Sequence, residues 1–178
     1  MKLPSARRAI TLGMATTNLG GNPVNTVGDL PKVGSKAPSV SLVKGDLSEL
    51  TSADLAGTRT VLNIFPSIDT PTCAKSVRAF NERAASLANT TVVCVSNDLP
   101  FAQNRFCGAE GISNVTTASS FRTDFGTAFG VTLADGKLHG LLARAVVVID
   151  GDGTVLHSQL VPEIANEPDY DAAIAALA

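Results

Sequence analysis

Three runs of the chain are almost wholly apolar and rich in β-branched residues: Thr60–Phe65, Thr91–Ser96 and Ala145–Ile149. Such runs predict strands covered on both faces, as at the centre of a sheet. Pro66 ends the first. After the third, Asp150-Gly151-Asp152-Gly153 leads into Thr154–His157, a succession that predicts a β-hairpin. Between the first two runs the period changes. From about Thr72 to Ala88, Val77, Phe80, Ala84 and Leu87 recur at spacings of three and four on the side of Cys73, while Lys75, Arg78, Glu82 and Arg83 take other faces. That spacing predicts an amphipathic helix, so the stretch is a βαβ crossover joining two parallel strands. Further helices are predicted at Pro100–Cys107, Phe121–Phe129 and Asp169–Leu177, short strands near Ser39–Val43, and a turn at Gly20-Gly21-Asn22-Pro23. The pattern predicts an α/β sandwich around a mixed sheet.

Length adds one domain to this picture, since 178 residues can bury a sizeable core without staples. That domain is expected to span residues 14–178. Lys2, Arg7 and Arg8 precede a short apolar stretch broken by Thr11 and Gly13, which lacks the hydrophobic core of an export signal. Residues 1–13 are therefore expected to be a disordered leader or an over-extended start, with Met14 as a more natural beginning. A net charge of −2 without a basic run gives no support to nucleic-acid binding, and no apolar run approaches a membrane span. Three cysteines cannot form a fully paired framework, which points to a reducing cytoplasm where cysteines serve by reactivity or by packing.

Cys73 carries the chemistry. The segment Phe65-Pro66-Ser67-Ile68-Asp69-Thr70-Pro71-Thr72-Cys73 joins a strand end to a helix start, the crevice where open α/β sheets place function. Pro71 suits the first helical turn. Cys73 then lies where free backbone N–H groups and the positive end of the helix dipole favour a thiolate, the nucleophilic form. Peroxide reduction also needs donors for the leaving oxygen, which the Thr70 hydroxyl can supply. Pro66 can screen the sulfur from water and so limit over-oxidation.

The pattern Pro66-x-x-x-Thr70-x-x-Cys73 resembles the peroxiredoxin signature, and the likeness continues from Gly20 onward through Asp98–Gln103, Arg105–Gly111 and Ala143–Asp150. Asn63–Thr70 looks like the bacterial thiol peroxidase subgroup. The resemblance implies a thioredoxin-like fold, a central mixed sheet flanked by helices with an N-terminal β-hairpin. It implies that Cys73 is the peroxidatic cysteine, Cys107 the resolving one, and Arg144 the arginine that holds the thiolate and the peroxide oxygens. Hydrogen peroxide and organic (alkyl or lipid) hydroperoxides are the implied substrates, thioredoxin the reductant and a homodimer the assembly, with no cofactor. Because Cys73 and Cys107 are placed on different helical segments, bridging them is expected to need movement or local unwinding near Pro100, Gly108 and Gly111. A pocket of Phe65, Ile68 and Phe106 is expected to favour alkyl or lipid hydroperoxides.

Other readings stand beside this one. Cys94 lies between Val93 and Val95 in a strand and is expected to be a packed, inert thiol. Thr70 could be only a turn or cap residue, and Arg144 alone only a surface or ion-paired one. His139 and His157 lack metal-ligand spacing, so no metal is expected. Asp150–Gly153 is similar to the start of a calcium loop but lacks the closing glutamate. Gly126 and Gly130 form no phosphate cradle. A thioredoxin-like disulfide oxidoreductase is the second candidate, but Thr70 stands where Cys-x-x-Cys would need a cysteine. A peroxide-sensing or chaperone-like redox switch is the third.

Overall fold

The computed structural model describes residues 14–178 of the chain, so the expected leader 1–13 lies outside the described residues. The apolar runs become the middle of a seven-stranded mixed sheet in the order β4-β3-β7-β6-β5-β8-β9. Its strands are β3 (Ser41–Lys44), β4 (Glu49–Thr51), β5 (Arg59–Ile64), β6 (Thr90–Ser96), β7 (Thr116–Ser119), β8 (Ala145–Ile149) and β9 (Val155–Leu160). β5, β6 and β7 run parallel, whereas β3–β4, β3–β7, β5–β8 and β8–β9 are antiparallel. The predicted hairpin is β8–β9, with a register shift at Val148/Ile149.

Alternation along the central strands divides the core into two layers. Val61, Val92, Cys94, Val146 and Val148 pack with Val77 and Phe80 of α2 (Pro71–Ala84) and with Ala173 of α5 (Tyr170–Ala175). Leu62, Ile64, Val93, Val95 and Val147 pack on the other face with Leu55 of α1 (Ser52–Leu55), Phe125 of α4 (Phe125–Ala128), and Phe129. A sheet sealed on both faces explains why its strands read as continuous apolar runs.

Element ends differ from the sequence pattern where local polar groups compete. α2 stops at Ala84 because the Ser86 and Leu87 N–H groups turn back to the carbonyls of Arg83 and Ala84, though Leu87 still packs on the core. α3 runs on to Glu110, three residues past the expected end, and closes on Gly111 in the left-handed conformation at φ 66°. The helix expected over Phe121–Phe129 contracts to α4, since Thr123 and Ser120 bond locally in the preceding turn. β4, α1 and β7 are too short or too polar to have shown a period.

β1 (Thr16–Leu19) and β2 (Asn22–Asn25) form a separate antiparallel hairpin. Its turn is Gly20-Gly21 alone, at φ 59° and 80°, so Asn22 and Pro23 belong to the strand rather than to the turn. The hairpin docks on the segment after β9. Thr17 Oγ1 donates to the Val161 carbonyl (2.7 Å), the Asn18 N–H to Pro162 (2.9 Å) and the Ile164 N–H to Asn18 (2.8 Å). The Gly20 and Gly21 N–H groups grip the Glu163 carboxylate at 2.8 and 3.1 Å.

Cys94 is fully buried in β6, and burial pushes its thiol from 9.0 up to about 12. The unfolded chain thus releases this proton before the folded one, and stability present below pH 9 is lost as pH rises towards 12. In reducing buffer, Cys94→Ala is expected to flatten the alkaline decline in unfolding free energy by up to about 1.4 kcal/mol per pH unit. Parallel declines in the two proteins, followed by urea titration from pH 8 to 11, would contradict this.

Candidate active site

The loop after β5 delivers the predicted residues in order. Pro66 and Ile68 are buried, Thr70 is the N-cap of α2, Pro71 its first residue, and Cys73 lies in its first turn with no exposed surface. The expected strand–turn–helix setting is present. Phe65, Ile68 and Cys73 share one apolar cluster, with Phe106 partly buried against it.

Arg144 enters from the residue before β8 and is 2% exposed. Its Nη2 donates to Cys73 Sγ at 3.3 Å, and its Nε to the Ile164 carbonyl at 2.6 Å. Nη1 is buried without a partner, and none of the ion pairs among the described residues includes Arg144. A guanidinium stays charged inside proteins, and a buried cation is stable only with compensation. The groups at hand are the Cys73 sulfur, which accepts from Nη2, and the Glu167 carboxylate, which interacts electrostatically with Arg144. Nη1 remains as a second donor beside the sulfur, free for the oxygen of a bound substrate.

Thr70 does less than the sequence suggested. Its hydroxyl donates to the Ser67 carbonyl at 3.0 Å, so its proton is used within the turn, and its side chain makes no cap hydrogen bond. The first turn of α2 is instead fixed from outside, by the Thr72 hydroxyl donating to the Ala165 carbonyl (3.0 Å). Close by, Tyr170 donates to Glu167 (2.9 Å), which also pairs with Lys75 (3.1 Å). Burial pushes the Tyr170 phenol up, keeping it a neutral donor.

Cys107 is not joined to Cys73; both thiols are free. It sits half-buried on α3 (Pro100–Glu110), with Sγ 3.8 Å from Thr117 Oγ1 of β7. Burial pushes its thiol up, which keeps it protonated at neutral pH. α3 itself buries only Pro100 and Gln103. Its Phe106 packs, partly buried, against the Cys73 cluster and under the Arg78 guanidinium, and ion pairs add to this: Arg105 with Asp69 (3.3 Å) and Arg78 with Glu110 (2.8 Å). Cys94 receives the Asn63 amide at 3.6 Å from a buried position and faces no solvent.

Several supporting groups were not legible in the sequence. The Ile164 carbonyl that orients Arg144 is a backbone atom with no residue signature. Asn63, which also donates to Ser76 (3.1 Å) behind Cys73, sits inside an apolar run. A cleft of about 300 Å³ opens at the opposite end of the sheet, between Lys36, Leu55, Ile149 and Asp152, and holds no cysteine.

Comparison with known proteins agrees with the geometry. The chain matches the Redoxin family over residues 32–174. It is 60% identical over 164 residues to a thiol peroxidase of Mycobacterium tuberculosis (strain ATCC 25618 / H37Rv), covering 92% of this chain and 99% of that protein. A thiol peroxidase of Corynebacterium glutamicum is 57% identical over the same coverage. Among solved structures, a peroxiredoxin-like protein from Aquifex aeolicus superposes with a TM-score of 0.87 at 45% identity, covering 92% of this chain and 96% of that one. A buried arginine on a helix-start cysteine, within a thioredoxin-like sheet and at this identity, leaves one conclusion: the chain belongs to the Redoxin family, among its thiol peroxidases.

Proposed function

We propose that the hydroperoxide reduction of this chain runs through Cys73 as peroxidatic and Cys107 as resolving cysteine. The observation that carries this is the Arg144 guanidinium, which places one donor on Cys73 Sγ and leaves another unpartnered beside it. The thiolate attacks one peroxide oxygen and the O–O bond breaks, its electron pair leaving on the other oxygen. That oxygen takes a proton from water and departs as alcohol, or as water from hydrogen peroxide. Arg144 donates to the oxygen on which charge develops, so the interaction strengthens in the transition state. Pro66 screens the sulfur and Thr70 holds the turn.

Cys73 is now a sulfenic acid. The Cys107 thiol displaces its hydroxyl as water, forming the 73–107 disulfide. α3 supports such a step because it buries only Pro100 and Gln103 and its Arg105–Asp69 pair is exposed, 69% and 64%, hence weak. Two electrons and two protons from an external dithiol restore both thiols; thioredoxin is the reductant proposed, in a cytoplasmic setting. Among the described residues no helix is long and apolar enough to cross a membrane. The apolar wall of Phe65, Ile68 and Phe106 favours alkyl or lipid hydroperoxides, which a higher kcat/KM for hydrogen peroxide would refute.

A homodimer is the assembly proposed. Leu99 and Phe101, at the start of α3, and Phe121, after β7, are 50%, 64% and 42% exposed near the site and supply an apolar surface for it. Sedimentation velocity is expected to give a dimer that Phe101→Glu weakens; a wild-type monomer at tens of micromolar would rule this out.

Hydroperoxide turnover coupled to thioredoxin, thioredoxin reductase and NADPH tests the mechanism. Cys73→Ser is expected to be inactive, Cys107→Ser to stop after one turnover, and Cys94→Ser to stay within about twofold of wild type. Arg144→Lys cannot serve Ile164 and the sulfur together, and is expected to slow the peroxide step by ~10²–10³-fold. Turnover by Cys73→Ser, or reduction of protein disulfides but not of peroxides by the wild type, would overturn the assignment in favour of a disulfide oxidoreductase.

A further inference from the structure

The peroxidatic loop is fastened from a neighbouring strand by a carboxylate without a cationic partner. Asp98 follows β6 and precedes Leu99, the N-cap of α3. Its Oδ1 accepts from the Ser67 hydroxyl (2.8 Å), and its Oδ2 from the Ile68 N–H (2.7 Å) and the Ser96 hydroxyl (2.5 Å). None of the ion pairs among the described residues includes it. Three donors, two of them from the loop between Pro66 and Thr70, converge on one charge.

Ser67 is the knot of that loop. Its oxygen accepts from the Asp69 N–H (3.2 Å), and its carbonyl accepts both the N–H (3.2 Å) and the hydroxyl (3.0 Å) of Thr70. On the other side, Ser96 Oγ also accepts from Gln103 Nε2 (3.1 Å), which reaches the Ala118 carbonyl as well (3.1 Å). Gln103 is 1% exposed and lies four residues, one helical turn, before Cys107 on α3. The Ser119 hydroxyl binds the Asp98 carbonyl from β7. One carboxylate thereby ties the segment leading to Cys73 to the helix that carries Cys107.

We infer that Asp98 is a positioning residue which holds the peroxidatic loop in its peroxide-reactive conformation, and whose hold must be released before Cys73 can meet Cys107. This rests on the assignment of those two cysteines above. Asp98 touches neither sulfur; it acts through Ser67 and Ile68. It therefore favours the first chemical step and opposes the second, so the two rates are expected to move in opposite directions when it is changed. A merely structural residue would slow both together.

The test separates the steps in the full-length protein. Stopped-flow measures the second-order reaction of the reduced protein with an alkyl hydroperoxide, then the first-order closure of the disulfide. Asp98→Ala loses charge-assisted hydrogen bonds, and its peroxide step is expected to fall at least about tenfold while closure is unchanged or faster. Asp98→Asn, which retains an acceptor for the Ile68 N–H, is expected to fall between it and wild type. Ser67→Ala, leaving Asp98 and Ser96 in place, is expected to reproduce the split more weakly. A peroxide step within twofold of wild type in Asp98→Ala, or a parallel fall of both steps in all three variants, would overturn the role of Asp98. Peptide mapping of the oxidised wild type keeps the two readings apart. Absence of the 73–107 bond there would overturn the cysteine assignment, and the role of Asp98 with it; its presence confines any failure to Asp98.

Discussion

A guanidinium sealed from solvent is an expense that a fold tolerates only where something compensates its charge. Arg144 is such a group, and much of the molecule is arranged around it. β8 carries it up from the centre of the sheet. The Ile164 carbonyl fixes its Nε, and the Ile164 N–H is held in turn by Asn18 of the N-terminal hairpin. The hairpin is therefore no ornament on the thioredoxin-like core. Through one residue, Ile164, it orients the arginine that faces Cys73. In the proposed mechanism a Cys73 thiolate balances the cation, and the cation holds it in place for peroxide.

The second half of the reaction asks for the opposite property. A rigid peroxidatic site cannot by itself deliver Cys73 to a thiol on another helix. The structure divides these demands between elements. α2 is anchored by Val77 and Phe80 in the core, whereas α3 buries only Pro100 and Gln103, with Phe106 partly buried and the rest of its surface facing outward or held by ion pairs. Local opening draws on regions with few buried contacts, and α3 is such a region. Burial keeps Cys107 protonated at neutral pH, which suits the resolving role proposed for it.

The central strands and α2 were legible in the sequence because both faces of the sheet are buried and α2 packs one apolar stripe. β8 matched residue for residue, and β5 and β6 within one residue at each end. The contact between Cys73 and Arg144 joins two residues that the sequence pattern had singled out. Groups that act through the backbone or through tertiary pairing were hidden. Nothing in Ile164 announces a carbonyl for an arginine, and Asn63 in an apolar strand carries no sign that Ser76 and Cys94 lie opposite. Thr70 shows the converse. Its spacing suggested a donor to the substrate, yet its hydroxyl is turned to Ser67 within its own turn. β7 went unseen because Thr-Thr-Ala-Ser gains its strand character only from β6 and β3 on either side.

Charge compensation between Cys73 and Arg144 is open to direct measurement without any substrate. Urea unfolding at pH 7 under reducing conditions, applied to wild type, Cys73→Ser, Arg144→Met and the double variant, forms a thermodynamic cycle. If the thiolate balances the buried guanidinium, Cys73→Ser leaves a cation unpaired and Arg144→Met removes the need for its partner. The double variant is then expected to be more stable than the sum of the single effects by more than ~1 kcal/mol. Additivity within ~0.5 kcal/mol would mean that the two groups merely sit side by side, and that the cation is compensated elsewhere.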